Sequence, residues 1–167
     1  MNWLKPNWET NFGIQNISIN YLHSLQIKAL ILDVDGTLIP RNEIEIHHSV
    51  KDWVKEAREH LTLHLLSNNP SKRRIEKISK ELKIDFTCRA SKPRRGAILK
   101  VIDGFNCNKS HIAIIGDRIF TDVFAGNRIG LYTILVKPLK ADGTAFKQHR
   151  FQNLEKYLSK IAGAYKE

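Results

Sequence analysis

A regular alternation of short apolar runs and amphipathic segments constrains the fold of this chain more than any other feature. Short apolar runs between turn signals predict buried strands, and apolar residues at helical spacing predict helices between them. We predict five strands, at residues 27–32, 61–66, 84–88, 111–115 and 132–136. Strands that alternate with helices form a parallel sheet with helices on both faces. The expected fold is therefore an α/β, Rossmann-like five-stranded sheet.

The segments between these strands predict the helices. The first spans residues 45–60, and the second runs from Pro70 to Leu82 with Asn69 as its cap. Further helices are predicted from Pro93 to residue 102, as a short segment ending at Arg128, and at residues 153–162. The last helix is expected to pack three apolar side chains together, namely Leu154, Leu158 and Ile161.

Length and composition fit one compact domain, because 167 residues with 42% hydrophobic content can bury a substantial core. We expect residues 1–26 to be an N-terminal extension and residues 27–167 to form the domain. Cys88 and Cys107 are too few for a disulfide framework and are expected to be reduced structural thiols. The sequence has no signal-peptide layout and no apolar run of roughly 20 residues, so the expected location is cytoplasmic.

The charge balance favours anionic partners. Lysine and arginine number 27 against 17 acidic residues, which leaves a net charge of +10. Such a surface attracts nucleic acid, an anionic membrane face or a phosphorylated substrate. The sequence contains no recognised RNA-binding motif, so nucleic acid is not the expected partner.

Polar tripeptides follow three of the predicted strands. DVD follows the first strand, SNN the second and GDR the fourth. In open α/β sheets, ligands bind at the carboxyl ends of the strands. These three polar clusters are therefore expected to converge on one site.

Asp33 and Asp35 lie two residues apart directly after the first predicted strand. One carboxylate can attack phosphorus and form an aspartyl-phosphate. A second carboxyl group nearby can protonate the leaving oxygen and then deprotonate the attacking water. The alternatives are a turn with solvated acids or a calcium loop, but the position of Gly36 and the preceding buried strand do not fit a calcium loop.

Asp117 and Asp122 follow the fourth predicted strand and offer oxygen ligands that suit Mg²⁺. Acids gathered at one edge of the sheet would repel each other without a cation among them. Taken alone, Asp122 also fits an acid that complements a helix dipole.

Ser67, Asn68 and Lys92 are candidates for phosphate binding. Ser67 offers a hydroxyl at the end of the second strand, and the amide of Asn68 at a helix start can face an anion. Lys92 can hold a phosphate oxygen and balance the acids. Taken singly, Ser67 also fits a helix cap, and Lys92 fits solvated surface.

The order of these motifs carries a family resemblance. DVDGTL, SNNP, KP and GDRxxTD, in this order over residues 27–138, resemble the four motifs of haloacid-dehalogenase-type phosphatases. The resemblance implies that Asp33 is the nucleophile and Asp35 the general acid/base. It further implies a Mg²⁺ site formed by Asp33, the Asp35 carbonyl and Asp117. Phosphate would be held by Ser67 and Lys92, and Asp122 would support the metal site or Lys92.

SNNP, the KP segment, GDRIFTDVFAGNRIG and TILVKPL together are similar to the YqeG-type proteins of subfamily IIIA. Their likeness to the phosphatidylglycerophosphate phosphatases of mitochondria and plastids implies a lipid substrate, with phosphatidylglycerol as the product. A phosphatase of a soluble ester, nucleotide or phosphoprotein is the second hypothesis, and a non-catalytic basic binding module is the third.

The segments between the motifs leave no room for a large cap domain, so the site is expected to be open. An open site suits a phosphate on a large carrier, such as a lipid headgroup. The N-terminal segment combines Lys5 with four aromatic or apolar residues, Trp3, Leu4, Trp8 and Phe12. This pattern predicts either contact with an anionic membrane or packing of the segment onto the domain.

Overall fold

The computed structural model describes residues 2–147 and 150–161. Its central element is a parallel six-stranded sheet with the strand order β1-β6-β5-β2-β3-β4. The strands are β1 (Trp8–Glu9), β2 (Ala29–Leu32), β3 (Thr62–Leu66), β4 (Asp85–Thr87), β5 (Ile112–Gly116) and β6 (Tyr132–Leu135). The five predicted strands are present, and the sixth is the two-residue β1, which pairs with β6 at the sheet edge.

The helices are α1 (Ile19–Ser24), α2 (His48–His60), α3 (Lys72–Leu82), α4 (Gly96–Asp103), α5 (Phe124–Asn127) and α6 (Arg150–Ile161). A π-helical segment, Ile119–Val123, precedes α5. Between β2 and β4, the described chain contains only α2, β3, α3 and their connections, and no cap domain. None of the helices among the described residues is both long enough and apolar enough to cross a membrane.

Successive side chains of β2 point alternately into two hydrophobic cores, one on each face of the sheet. Leu30 and Leu32 pack into the larger core, which α1, α2 and α3 cover. Ala29 and Ile31 face the opposite side, where α4 and α5 complete the second core. Both faces of the sheet are therefore covered, which is the predicted α/β arrangement.

Residues 2–26 lie against the rest of the chain. The ring of Trp8 contacts the rings of Phe12 and Tyr21 at 6.1 and 4.8 Å between centroids. Buried side chains of this segment join the larger core, and they are Ile14, Ile17, Ile19 and Leu22.

Four predicted helix starts, those of α2, α3, α4 and α6, were wrong by two or three residues. The predicted cap Asn69 lies before α3, and the actual cap is Ser71, whose hydroxyl accepts a hydrogen bond from the Arg74 amide at 3.3 Å. α4 begins at Gly96 rather than Pro93, because the preceding residues form a turn in which Arg94 N donates to Ser91 O.

The predicted packing of the last helix was also wrong. Leu154, Leu158 and Ile161 share one side of α6, as the spacing predicts, but that side is exposed. The side chains of α6 that the structure describes as buried are polar, and they are Gln152, Glu155 and Ser159. Hydrogen bonds to the loop after β5, described below, are the reason why the polar side faces inward.

Candidate active site

Asp33 occupies the first position after β2, at the centre of the carboxyl edge of the sheet. Its amide donates a hydrogen bond to Ile115 O at 2.9 Å, which continues the pairing of β2 with β5. The Thr37 hydroxyl donates to Asp33 Oδ2 at 3.3 Å. These contacts fix the carboxylate, which is buried but reaches the surface of a cavity.

The buried Lys92 ammonium joins three elements of the site. It donates to Asp33 Oδ1 at 2.6 Å, to Asp122 Oδ1 at 2.7 Å and to Leu66 O at 2.8 Å. These bonds use all three of its donors. Lys92 therefore links the ends of β2 and β3 to the helical segment after β5.

Three buried carboxylates surround this lysine. One oxygen from each of Asp33, Asp117 and Asp122 lies within 4.8 Å of the others. Burial raises the pKa of Asp33 to about 6, with Lys92 opposing and Asp122 adding to the rise. Burial, together with Asp33 and Asp122, raises the pKa of Asp117 well above its usual range. Burial disfavours the charge of Lys92, but Asp122 and Asp33 outweigh it and raise its pKa.

This donor set fits a divalent cation. Three carboxylates face one ammonium, so full ionisation leaves two negative charges to be balanced. Asp117 Oδ1 is buried and has no hydrogen-bond partner among the described residues. A buried oxygen of this kind is costly unless a hydrogen-bond donor or a cation satisfies it.

Gly36 makes the approach of Asp117 sterically feasible. Its φ of +98° lies where side chains are disfavoured, and a Cβ there would lie 2.5 Å from Asp117 Oδ2. The turn after DVD therefore requires glycine for both its backbone conformation and its space.

Asp35 is held by two residues that the sequence did not assign to it. Asn69 Nδ2 donates to Asp35 Oδ2 at 2.9 Å, and Arg74 donates to Asp35 Oδ1 at 2.9 Å. The same arginine also donates to Glu43 O. Asp35 thus lies at the cavity wall between the β2 loop and α3.

Ser67 and Asn68 lie at the end of β3, as predicted. The Ser67 hydroxyl is buried and accepts a hydrogen bond from Asn69 N at 3.0 Å. The Asn68 side chain donates to Lys92 O at 2.9 Å and accepts from Lys92 N at 2.7 Å. Asn68 therefore fixes the backbone that carries Lys92.

An open cavity of about 350 Å³ lies over these groups. Five of the seven predicted site residues line it, and these are Asp33, Asp35, Ser67, Asn68 and Lys92. The other two, Asp117 and Asp122, are buried beside Asp33. Arg41 and Arg118 also line the cavity, and Arg118 is paired with Glu155. Arg118 follows Asp117 directly in GDR, so its position in that motif was a usable signal.

α6 holds the loop that carries Asp117. Gln152 Nε2 donates to Asp117 O and to Val136 O, both at 2.7 Å. The Glu155 carboxylate accepts from Arg118 Nε and from Ile119 N, both at 2.9 Å. Sequence reasoning missed both residues because it considered only the apolar side of this helix.

The family model of the mitochondrial PGP phosphatases matches residues 4–140, which include every residue of the predicted site. The chain belongs to this family. It is accordingly a phosphatase of the haloacid-dehalogenase type, as its motifs predicted.

Two relatives of this PGP phosphatase family member carry informative names. The chain is 33% identical over 133 residues to the probable phosphatase YqeG of Bacillus subtilis, covering 78% of this chain and 77% of the relative. It is 38% identical over 72 residues to phosphatidylglycerophosphate phosphatase 1, chloroplastic/mitochondrial, of Arabidopsis thaliana. That match covers 43% of this chain and 20% of the plant protein.

A solved structure supports the fold of the family member. The cobalt-bound form of deoxy-D-mannose-octulosonate 8-phosphate phosphatase from Haemophilus influenzae superimposes with a TM-score of 0.54 at 17% identity. The superposition covers 83% of this chain and 91% of that one. The likeness shows a shared fold.

Proposed function

We propose that this chain is a Mg²⁺-dependent phosphatase that removes the terminal phosphate of phosphatidylglycerophosphate and yields phosphatidylglycerol. One observation carries the chemical part of the proposal. Asp33, Lys92, Asp117 and Asp122 form a single buried charge cluster that reaches the floor of an open cavity, and Arg41 and Arg118 also line this cavity.

Asp33 acts as the nucleophile. Its carboxylate oxygen forms a bond to phosphorus while the bond from phosphorus to the ester oxygen breaks. The Asp35 carboxyl group gives its proton to the departing oxygen. In the second half of the reaction, Asp35 takes a proton from water, and the water oxygen displaces Asp33 from phosphorus to release inorganic phosphate.

Ser67, Asn68 and Lys92 bind the phosphoryl group. Ser67 and Lys92 line the cavity. The Ser67 hydroxyl can donate to a phosphoryl oxygen, and Lys92 can do so when that oxygen replaces one of its three protein acceptors. The Lys92 bond to Asp33 also places a positive charge beside the atom that is transferred. Asn68 contributes by fixing the Lys92 backbone.

Asp33, the Asp35 carbonyl and Asp117 would hold Mg²⁺, and Asp122 would support this set through Lys92. When bound, the cation would stabilise negative charge on the phosphoryl oxygens. The unpaired buried oxygen of Asp117 and the excess negative charge of the cluster support this assignment.

Three observations support a lipid substrate. The Arabidopsis relative is named a phosphatidylglycerophosphate phosphatase. The described residues contain no cap domain, so the cavity is open to a phosphate on a large carrier. Arg41 and Arg118 at its wall add charge suited to the second phosphate of such a lipid.

Phosphate release tests the proposal with two substrates. Wild type and Asp33→Asn receive phosphatidylglycerophosphate in mixed micelles or p-nitrophenyl phosphate in solution, each with Mg²⁺ or with a chelator. Release from the lipid that needs both Asp33 and Mg²⁺ is expected. Phosphate release from the soluble ester alone would support the mechanism and reject the lipid as the substrate. Release from neither substrate would favour a non-catalytic binding module.

Metal binding can be tested without turnover. Because a ligand that binds only the folded state stabilises it, Mg²⁺ is expected to raise the Tm of wild type. Asp117→Asn should remove most of this rise, whereas Asp103→Asn, at an exposed position on α4, should retain it. An equal rise in all three proteins would place the cation elsewhere.

A further inference from the structure

The outward side of α6 carries exposed apolar side chains from Leu154 to Ile161. Leu154, Tyr157, Leu158 and Ile161 lie on this side, and their exposed fractions are 55%, 63%, 44% and 68%. Residues spaced three, four and seven apart share one side of a helix, so the four side chains form one stripe. We call these four residues the α6 stripe.

The orientation of α6 is the reverse of that expected for a surface helix, whose apolar side normally faces the core. Here Gln152 and Glu155 are buried because they bind the backbone of the Asp117–Ile119 loop. These hydrogen bonds fix the helix and direct the α6 stripe away from the domain. Exposed apolar groups gathered in this way mark a surface that meets a partner.

The charges of α6 indicate which partner fits. Arg150 and Lys160 are exposed, and Lys156 pairs with Glu9. Glu155, the only acid among residues 150–161, is buried and paired with Arg118. The outward surface of α6 therefore combines apolar side chains with positive charge. This is the composition of helices that lie in the headgroup region of anionic membranes.

We propose that the α6 stripe docks the protein on an anionic phospholipid surface, with Arg150 and Lys160 contacting the headgroups. This inference builds on the proposed function, in which the substrate is a lipid of the same surface. α6 holds the Asp117 loop through Gln152 and Glu155, so docking by its opposite side brings the membrane near the cavity. The family match ends at residue 140, and α6 therefore lies beyond it.

Charge argues against a second copy of the chain as the occupant. A two-fold contact through the α6 stripe would bring the same surface of each copy together. Arg150 and Lys160 would then face their equivalents in a protein whose net charge is already +10. Anionic lipid balances these charges, whereas self-association concentrates them.

Vesicle sedimentation of the full chain tests the inference. Wild type is mixed with vesicles of phosphatidylcholine, with and without phosphatidylglycerol. The test variant is Leu154→Gln with Leu158→Gln, which keeps the helix propensity and the net charge. The matched control is Ile44→Gln, because Ile44 is 66% exposed but lies far along the chain, before α2.

Wild type and Ile44→Gln are expected to sediment with phosphatidylglycerol vesicles and not with pure phosphatidylcholine. The double variant should partition at least about ten-fold more weakly, because two half-exposed leucines lose their apolar contact. A second, independent variant is Arg150→Gln with Lys160→Gln, which leaves the α6 stripe unchanged. It should also weaken binding to phosphatidylglycerol vesicles, because it removes the two positive charges that contact the headgroups.

Unchanged vesicle binding of the double variant would overturn the inference, as would failure of wild type to bind anionic vesicles. Light scattering that shows a wild-type dimer, dissociated by the double variant, with no vesicle binding would identify a second copy as the occupant. Hydrolysis of micellar phosphatidylglycerophosphate is measured in parallel, so that a failure of membrane docking can be told apart from a failure of the proposed function. Vesicle binding without lipid hydrolysis would reject the substrate, and hydrolysis without binding would reject the docking surface.

Discussion

The ammonium of Lys92 lies 2.6 Å from Asp33 Oδ1, although the two residues are 59 positions apart in the chain. Asp33 directly follows β2, and Lys92 lies in the turn before α4. Both groups are buried, so the pair is formed almost entirely without water. The position of the proposed nucleophile therefore depends on a residue from a distant segment.

Lys92→Met is expected to lower the free energy of unfolding by about 3–5 kcal/mol in the absence of metal, because it leaves buried carboxylates without their counter-charge. Urea unfolding measures this loss. Lys80→Met is the matched control, since Lys80 is 76% exposed and its pair with Glu76 lies on the surface. That variant should lose much less, because an exposed ion pair is screened by water and contributes little. Equal losses in the two variants would contradict the account of the buried pair.

Arg74→Ala is expected to reduce kcat/KM at least about ten-fold while the fold is retained, because Asp35 loses one of the two groups that orient it. Steady-state phosphate release measures the effect. Arg73→Ala, at the exposed neighbouring position, removes the same charge without touching Asp35. If both variants lost activity equally, the effect would come from charge near the cavity rather than from the position of Asp35.

Gly36→Ala and Gly130→Ala separate backbone strain from contact with Asp117. Both glycines have positive φ, +98° and +80°, and each alanine is expected to cost about 1 kcal/mol of stability. A Cβ at position 130 meets nothing within 4 Å, whereas at position 36 it meets the Asp117 carboxylate. Activity should fall only in Gly36→Ala. Full activity in that variant would show that the carboxylate can move aside without consequence.

The strand ends could be predicted from the sequence because the carboxyl ends of parallel strands meet at one edge. DVD, SNN and GDR therefore had to lie together once the strands were located, and Asp33, Ser67 and Asp117 do so. β1 was missed because two residues are too few to form a pattern of alternating burial.

Side-chain partners across the fold were less accessible to sequence reasoning. The helical spacing of the apolar residues in α6 was predicted. Which side of α6 faces inward depends on hydrogen bonds to the carbonyl groups of Asp117 and Val136, and the sequence of the helix does not show these partners. The pair of Arg74 with Asp35 likewise spans 39 positions and depends on how α3 lies beside the β2 loop.

His64 is expected to make stability depend on pH. Burial lowers its pKa in the folded protein from the ordinary 6.5, with Asp85 opposing. The unfolded chain therefore binds this proton more readily than the folded protein. The contribution of His64 to the free energy of unfolding is complete above about pH 6.5 and is lost as the pH falls below that value. His64→Gln should reduce the loss of unfolding free energy between about pH 8 and about pH 5.5, measured by urea unfolding.

His60→Gln, at an exposed position on α2, is the matched control for that series. If His64→Gln left the pH dependence the same as in wild type, the burial of His64 would not contribute to it.

The most direct test of the central claim is chemical trapping of the phosphoryl-enzyme. Wild type is mixed with substrate and Mg²⁺, quenched in acid and treated with borohydride, which reduces an aspartyl-phosphate to homoserine. Trypsin then releases residues 29–41, a peptide that contains both Asp33 and Asp35, and fragment masses identify the modified position. We expect homoserine at position 33, dependent on substrate and absent from Asp33→Asn. Homoserine at position 35, or undiminished phosphate release by Asp33→Asn, would contradict this expectation.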